Sequence, residues 1–411
     1  MERRTFYPVG QGAFYSETHK LGDRTFTMVY DCGSSTLKKN EMVKIIENAF
    51  EENSIIDVLF ISHFHADHVN GIELLAKRCK IKLVILPLIT NEEIVLVNAI
   101  NLSVYGFDST RIFERPEDFF GKRTSFIGIL QTDDEDLNKF EYVSLSEANE
   151  NTRKHSEETD NKGDGANIKV EKLDEKITER KRSGTRFYIS NAVIRKGVRN
   201  EDLTDCWRFI PFNYRADERM KKFEYALFKC GLTIEDVAIR IAKGCLGEYI
   251  TRVRKAYKDV CGGLNESSMI LYSGKEKEDI IYTDAPSFLH YFPKMEKQIP
   301  LEVLIWGGSQ SGCLYMGDIN LNRDRIVADI IGKLGQHLNF VGTLQVPHHG
   351  SEHNFSADIL LPSMFYAVFS YGKNNSYKHP SVEVLRQVVA KYIFPLLVIE
   401  DSSSQVIQKD W

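Results

Sequence analysis

Short apolar runs, each closed by a polar turn, recur along the chain. Val58, Leu59, Phe60 and Ile61 form an unbroken one, the pattern of a strand buried on both faces. Residues 25–35 read as the second strand of a hairpin that closes in Asp31-Cys32-Gly33, and residues 81–87 as a further buried strand. Between these runs the apolar positions fall at helical spacing. Met42, Val43, Ile45, Ile46 and Phe50 make a core-facing stripe on a helix over 38–51, Ile72, Leu74 and Leu75 open a second helix, and 91–102 reads as a third. Strand and helix alternating in this way predict a layered α/β sandwich.

The pattern decays from about 133 to 183, where mixed charge is dense and apolar side chains are few. Such a segment has too little apolar area to offset the entropy of ordering it, so mobility is expected. His155 lies in it and is not expected to bind metal. Lys176, Arg180, Lys181 and Arg182 are interleaved with Glu175 and Glu179, as on a solvated face. Strand-like runs return at 185–190 and 206–214. A helical block over 217–259 follows, with Phe223, Ala226, Leu227, Cys230 and then Val237 and Ile241 as its apolar stripes. We therefore expect two halves of one sandwich, 1–104 and 263–411. An insertion over 105–262 separates them, with a mobile charged segment at 133–183 and a helical subdomain at about 215–260. It carries no catalytic motif, so shaping access or docking a protein partner is what its position allows.

Composition narrows the class. With 411 residues, 42% of them hydrophobic, the chain can bury a large core. A net charge of −5 argues against a surface that grips nucleic acid over its whole extent, though a local basic groove is compatible with it. The cysteines number seven and never stand in Cys-x-x-Cys spacing, which disfavours a disulfide framework and a zinc ribbon. The N-terminus lacks the apolar stretch of a signal peptide, and no run reaches membrane-spanning length, so a soluble cytoplasmic protein with no membrane contact is expected.

The chemistry begins where the 58–61 strand stops. His63, His65, Asp67 and His68 stand within six residues, ahead of Gly71. Imidazole and carboxylate suit borderline divalent ions, and alternate residues of extended chain point the same way, so His63 and His65 can grip one ion while Asp67 and His68 face another. Other apolar strands also run into polar loops, at Gly317-Asp318, at Pro347-His348-His349-Gly350, and at 370–380 with Lys373, Asn375, Tyr377 and His379. Six of the chain's 11 histidines thus lie at strand ends or just after them.

The His-x-His-x-Asp-His run resembles the signature of the metallo-β-lactamase superfamily of metallohydrolases. The ordered set with Gly-Asp, Pro-His-His-Gly-Ser and Ser-x-Gly-x-x-Asn-x-Tyr-x-His-Pro looks like its ComEC-type branch, here without a membrane channel. The likeness covers roughly 5–90 and 262–400. It implies a four-layer αββα sandwich holding two divalent ions, zinc first and manganese next. In that pattern His63 and His65 with His348 or His349 would hold one ion, Asp67, His68 and His379 the second, and Asp318 would bridge. Asp31 would prop the metal loop by hydrogen bonds, Asp67 would orient the attacking water, and Lys373 and Tyr377 would donate to substrate oxygen. The activity implied is hydrolysis of a phosphodiester, in nucleic acid or a nucleotide, by a hydroxide between the ions. Ester or amide hydrolysis of a lactonase kind uses the same metals. A regulatory or interaction module of a stress or antiviral system, docking through 105–262, is the reading from another class.

Overall fold

The structure is a computed structural model. It describes residues 3–130, 207–260, 268–275, 301–305 and 310–410, a few short gaps within these spans aside, and three strands between 131 and 206. The rest of 133–183, with His155 and the basic cluster, lies outside the described residues.

The strands in chain order are β1 (Arg3–Phe6), β2 (Phe14–Leu21), β3 (Arg24–Cys32), β4 (Ile55–Ile56), β5 (Val58–Phe60), β6 (Lys80–Ile81), β7 (Leu83–Pro87) and β8 (Ser125–Leu130). They continue with β9 (Ile168–Glu171), β10 (Thr185–Ile189), β11 (Val193–Lys196), β12 (Trp207–Tyr214), β13 (Ser268–Lys275) and β14 (Leu301–Ile305). The last are β15 (Gly312–Tyr315), β16 (Val341–Gln345), β17 (Tyr366–Ser370), β18 (Phe394–Val398) and β19 (Val406–Asp410). One sheet has the order β10-β8-β7-β5-β3-β2-β1-β19-β14 and the other β18-β17-β16-β15-β13-β12-β11-β9.

Alternation along single strands builds the layers. Val58 and Phe60 of β5 point between the sheets, where they meet Met28, Tyr30, Phe209, Met269, Leu271 and Tyr315. Leu59 and Ile61 point the other way, into a cluster with Met42 and Ile46 of helix Lys39–Ala49 and Ile72 and Leu75 of helix Ile72–Arg78. On the far sheet Ile270 and Leu314 turn outward to Ile326 and Ile330 of helix Ile326–Leu334 and Val384 and Val388 of helix Val382–Ala390. Three apolar seams thus separate four layers, helix, sheet, sheet, helix, as expected from the sequence. No helix among the described residues is long and apolar enough to cross a membrane.

The seam between the sheets also carries a buried polar knot. Glu17 Oε1 accepts from Arg4 Nε at 2.7 Å and from the Tyr315 hydroxyl at 2.8 Å, while Oε2 accepts from Ser273 Oγ at 2.7 Å. These bonds tie β1 and β2 of one sheet to β13 and β15 of the other.

The span 105–262 is less separate than its sequence implies. β8 and β10 extend the first sheet beyond β7, and β12 lies between β13 and β11 in the second. The polar interval between them disguises the fact that strands on both sides return to the sandwich. What has a core of its own is the helical part. Helices Asp217–Lys229, Ile234–Ala242 and Tyr249–Asp259 pack Phe223, Leu227, Val237 and Val253 against Leu96, Ala99 and Ile100 of helix Asn91–Ile100.

Candidate metal centre

β5 ends in the seam between layers, so the residues after it emerge at one rim of the sheets already fixed in direction. His65 leads into a single helical turn, Ala66–Val69, which turns Asp67 and His68 back toward the strand end. All four candidates of this loop are buried, at 1–5% exposure, where ionisable side chains are rare unless something pairs with them.

Two turns from the other sheet complete the cluster. After β15 the chain bends at Gly317, whose φ is +52° and whose added Cβ would meet Ser268 Oγ at 2.3 Å, so only glycine fits there. Gln345 Oε1 accepts the N–H groups of Met316 and Gly317, at 2.7 and 2.9 Å, and holds this bend open. Asp318 is thereby carried to the rim. His348 and His349 both have left-handed backbone, with φ of 49° and 56°, a strain of the kind that concentrates at functional sites. The His348 N–H donates to the Gly317 carbonyl at 3.1 Å, which locks the two turns together.

The resulting distances define a centre. Asp318 Oδ1 lies 3.3 Å from His68 Nε2 and 3.9 Å from His349 Nε2, and Oδ2 lies 3.8 Å from His63 Nε2. Asp67 Oδ2 is 3.6 Å from His349 Nε2. One ligating atom from each of Asp67, His68, Asp318 and His349 falls within 4.8 Å of the others, a spacing that admits a metal ion. The ring of His63 stands 4.0 Å from that of His68 and 4.9 Å from that of His65, centroid to centroid.

Hydrogen bonds on the far side of three rings decide which nitrogen faces inward. His349 Nδ1 donates to the Ser370 carbonyl at 2.8 Å, and His68 Nδ1 donates to Asp31 Oδ2 at 2.8 Å. The Ser62 hydroxyl donates to Asp31 Oδ2 at 2.6 Å and accepts from His63 Nδ1 at 2.9 Å. In each case Nδ1 carries the proton and Nε2 turns its lone pair to the centre. These Nε2 atoms, with His65 Nδ1, His348 Nδ1 and Asp67 Oδ1, are buried without a hydrogen-bond partner. Five orphaned ring nitrogens and a carboxylate oxygen are costly to bury unless a cation takes their lone pairs, so the residues fit divalent metal.

Electrostatics follow from the same packing. Burial pushes His63 and His348 below the ordinary imidazole value and brings His65 to about 4, which keeps these rings neutral and able to ligate. Burial also acts against charge on His68 and His349, but Asp318, with Asp31 for the first and Asp67 for the second, overcomes it and raises both. Asp318 is held well below the usual carboxylate range, since His68, His348 and His349 outweigh its burial. Burial pushes Asp31 up, and the donors around it offset only part of that. Three donors, Ser62 N–H at 2.7 Å, Ser62 Oγ and His68 Nδ1, aim at its two oxygens, an arrangement that fits the carboxylate.

Three further candidates lie outside the group formed by Asp67, His68, Asp318 and His349. The ring of His379 lies 6.1 Å from that of His348, as far as the His349 ring does, and is stacked on Tyr377 at 5.7 Å. Tyr377 is 68% exposed, at the mouth of the site. Lys373 is exposed, with its Nζ 3.6 Å from Asp401 and its backbone N–H donating to Glu400 at 3.0 Å, an acidic pair beyond β18. Ser62, Gln345 and Asn101, whose Oδ1 accepts the Ala66 N–H and whose Nδ2 donates to the Phe64 carbonyl, also build the site and are not among the residues its motifs single out. Ser62 abuts the histidine run, a signal within reach, whereas the others carry no motif.

A buried cluster of this kind at the rim of an αββα sandwich is a candidate metal centre, and together with the family match that follows it suggests a metal-dependent hydrolase. A family model described as Metallo-beta-lactamase superfamily matches residues 21–97, the span that holds β3, β5, the histidine loop and β7. No curated protein matches the chain.

Proposed function

We propose that the protein hydrolyses phosphodiesters, in nucleic acid or in nucleotide-like small molecules, with two divalent ions, zinc first and manganese next. The observation that carries this reading is the place of Asp318, with His63 on one oxygen and His68 and His349 on the other. A carboxylate so placed fits between two cations and offsets their repulsion. His63, His65 and His348 would hold one ion, and Asp67, His68 and His349 the second. When bound, such a pair lowers the pKa of a coordinated water and polarises the oxygens of the scissile group. Asp67, with Oδ1 unpartnered and Oδ2 toward His349, is the residue to orient the attacking water or accept its proton. The sequence likeness to the ComEC-type branch and the suitability of two metals for in-line displacement at phosphorus support the phosphodiester.

Metal analysis of purified protein, followed by assays on single-stranded DNA, duplex DNA, RNA, cyclic nucleotides and a small lactone, tests the proposal. Diester cleavage that is lost in the double variant His65→Ala, Asp67→Ala is expected. Lactone turnover with no diester cleavage would overturn it. His349→Ala should lose one ion per chain while His379→Ala keeps both; the reverse result would restore the assignment implied by the sequence likeness.

A further inference from the structure

The chain carries a net charge of −5, yet residues 240–258 hold six of its cations and a single carboxylate. Four of the six lie on helix Tyr249–Asp259. There Val253 and Ala256 are buried in the helical core, and the exposed residues are Thr251, Arg252, Arg254, Lys255, Lys258 and Asp259. The exposed arc is basic along its length, with one carboxylate at the last residue. Among the described residues Arg252, Lys255 and Lys258 form no ion pair. Like charges three and four residues apart destabilise a helix, so Arg252 with Lys255, Lys255 with Lys258 and Arg254 with Lys258 each work against the fold unless an anion lies over them.

Two of the guanidiniums are already ordered. Arg240, from helix Ile234–Ala242, sets its Cζ 3.6 Å from the centroid of the Tyr249 ring, and Arg252 sets its Cζ 5.4 Å from the same centroid. Stacking of this kind holds the planar fork in place, so less rotamer freedom is lost when it meets a phosphate. At a rise of about 1.5 Å per residue, Arg252, Lys255 and Lys258 stand about 4.5 Å apart along the axis, within reach of successive phosphates of one strand.

The same helix is fastened to the metal loop. Arg254 Nε donates to the Ser103 carbonyl in the short π-helical turn Asn101–Tyr105. Asn101, fully buried in that turn, accepts the Ala66 N–H at 3.0 Å and donates to the Phe64 carbonyl at 2.8 Å, on either side of His65. One turn thus joins the basic helix to the backbone that carries His65.

We propose that this basic face, with Arg240 beside it, binds the phosphate backbone of a nucleic-acid strand whose scissile diester lies at the metal centre. The proposal rests on the phosphodiester reading and narrows its substrate to a polymer. Charge complementarity selects the occupant, since a strand repeats one negative charge per nucleotide along a line and the helix repeats its cations along another.

The triple variant Arg252→Gln, Lys255→Gln, Lys258→Gln removes three charges and keeps good helix formers, while Arg252→Lys, Lys255→Arg, Lys258→Arg keeps the charge. Anisotropy of labelled single-stranded DNA, duplex DNA and RNA, each about 30 nucleotides long, is read on the full chain also carrying His65→Ala and Asp67→Ala, so that nothing is cleaved. KM and kcat are read on the metal-loaded protein. The glutamine variant should raise Kd and KM about tenfold with kcat little changed, and should lower the slope of log Kd against log salt by about 2–3, since each neutralised phosphate contributes about 0.7–0.9. The charge-preserving variant should match wild type. Binding within twofold of wild type at an unchanged slope would overturn the basic face while leaving diester hydrolysis standing. Weakening that the charge-preserving variant shares would mark a structural role, and polyglutamate that competes as well as nucleic acid would mark an unselective cationic surface; either overturns the assignment. Binding that follows the variants in protein that cleaves no diester would remove the phosphodiester reading, and the strand's place as substrate with it.

Discussion

Replacing Asp31 by asparagine tests how much of the metal centre is built from behind. The side chain keeps its shape but presents an amide in place of one oxygen. On the Oδ2 side that amide faces two donors, the Ser62 hydroxyl at 2.6 Å and His68 Nδ1 at 2.8 Å. If the amide flips, it faces the Ser62 N–H, now at 2.7 Å from the other oxygen. One or two charge-assisted bonds are lost in either orientation, each worth about 1.5–3 kcal/mol in a site with no water to replace them. The larger effect is on His68. With the amide nitrogen on the Oδ2 side, Nδ1 has no acceptor and its proton is free to move to Nε2, where it would donate to Asp318 Oδ1, 3.3 Å away, and cover the lone pair meant for the metal; in the flipped orientation the neutral amide oxygen is a weaker acceptor than the carboxylate. Losing a partner of this kind costs about 10–100-fold in metal affinity. Competition with a chromophoric zinc chelator should therefore give a Kd raised by that factor, in protein whose circular dichroism is unchanged. Ser62→Ala, which leaves the bond from His68 to Asp31 intact, should show a smaller loss. A folded Asp31→Asn protein that holds zinc within twofold of wild type would refute the argument that Asp31 sets the His68 tautomer.

Two further predictions concern the frame. Glu17→Gln leaves the Arg4 guanidinium buried without its counter-charge, which should cost about 3–5 kcal/mol in denaturant unfolding at pH 7. Burial alone would raise the Glu17 carboxyl, but Arg4, with His19 and Ser273, holds it well below its ordinary 4.5. Its contribution is therefore fully present above pH 4.5 and is lost as pH falls toward the folded value, so the gap between wild type and variant should stay level from about pH 5 to 8 and narrow below. A gap that widens in acid would show the sign to be wrong. Gly33→Ala would set a Cβ 2.6 Å from the carbonyl carbon and oxygen of Asp67 and 2.7 Å from the carbonyl carbon of His68. Backbone cannot yield as a side chain does, so about 1–3 kcal/mol of stability and part of the bound metal should be lost together. Full metal content at wild-type stability would show that the loop has slack the packing denies.

Sequence alone was enough wherever the cause is local. β5 announces itself because four consecutive apolar side chains can all be buried only between two layers, and the period of 3.6 marks the helices that cover them. The histidine loop is equally legible, since residues 63 to 68 need only a strand end to be gathered at one point. Asp31 is legible as a prop for that loop from the family likeness, whereas the reason Gly33 matters, the approach of Asp67 from another part of the chain, is not. Tertiary structure decided what depends on distant partners. β8 and β12 look like strands of an insertion until pairing, which no local pattern encodes, returns them to the two sheets. Lys373 stands six residues before His379 in sequence, and that Asp401 is its ionic neighbour is set by proximity in space. His349 rather than its neighbour joins Asp67, since left-handed backbone and the Ser370 carbonyl orient its ring. Asn101 and Arg254, without a motif around them, meet the histidine loop and the turn beside it only because the folded chain sets two helices against that loop. Composition and periodicity specify which surfaces must be buried, and the folded chain alone specifies which polar atoms those buried surfaces bring face to face.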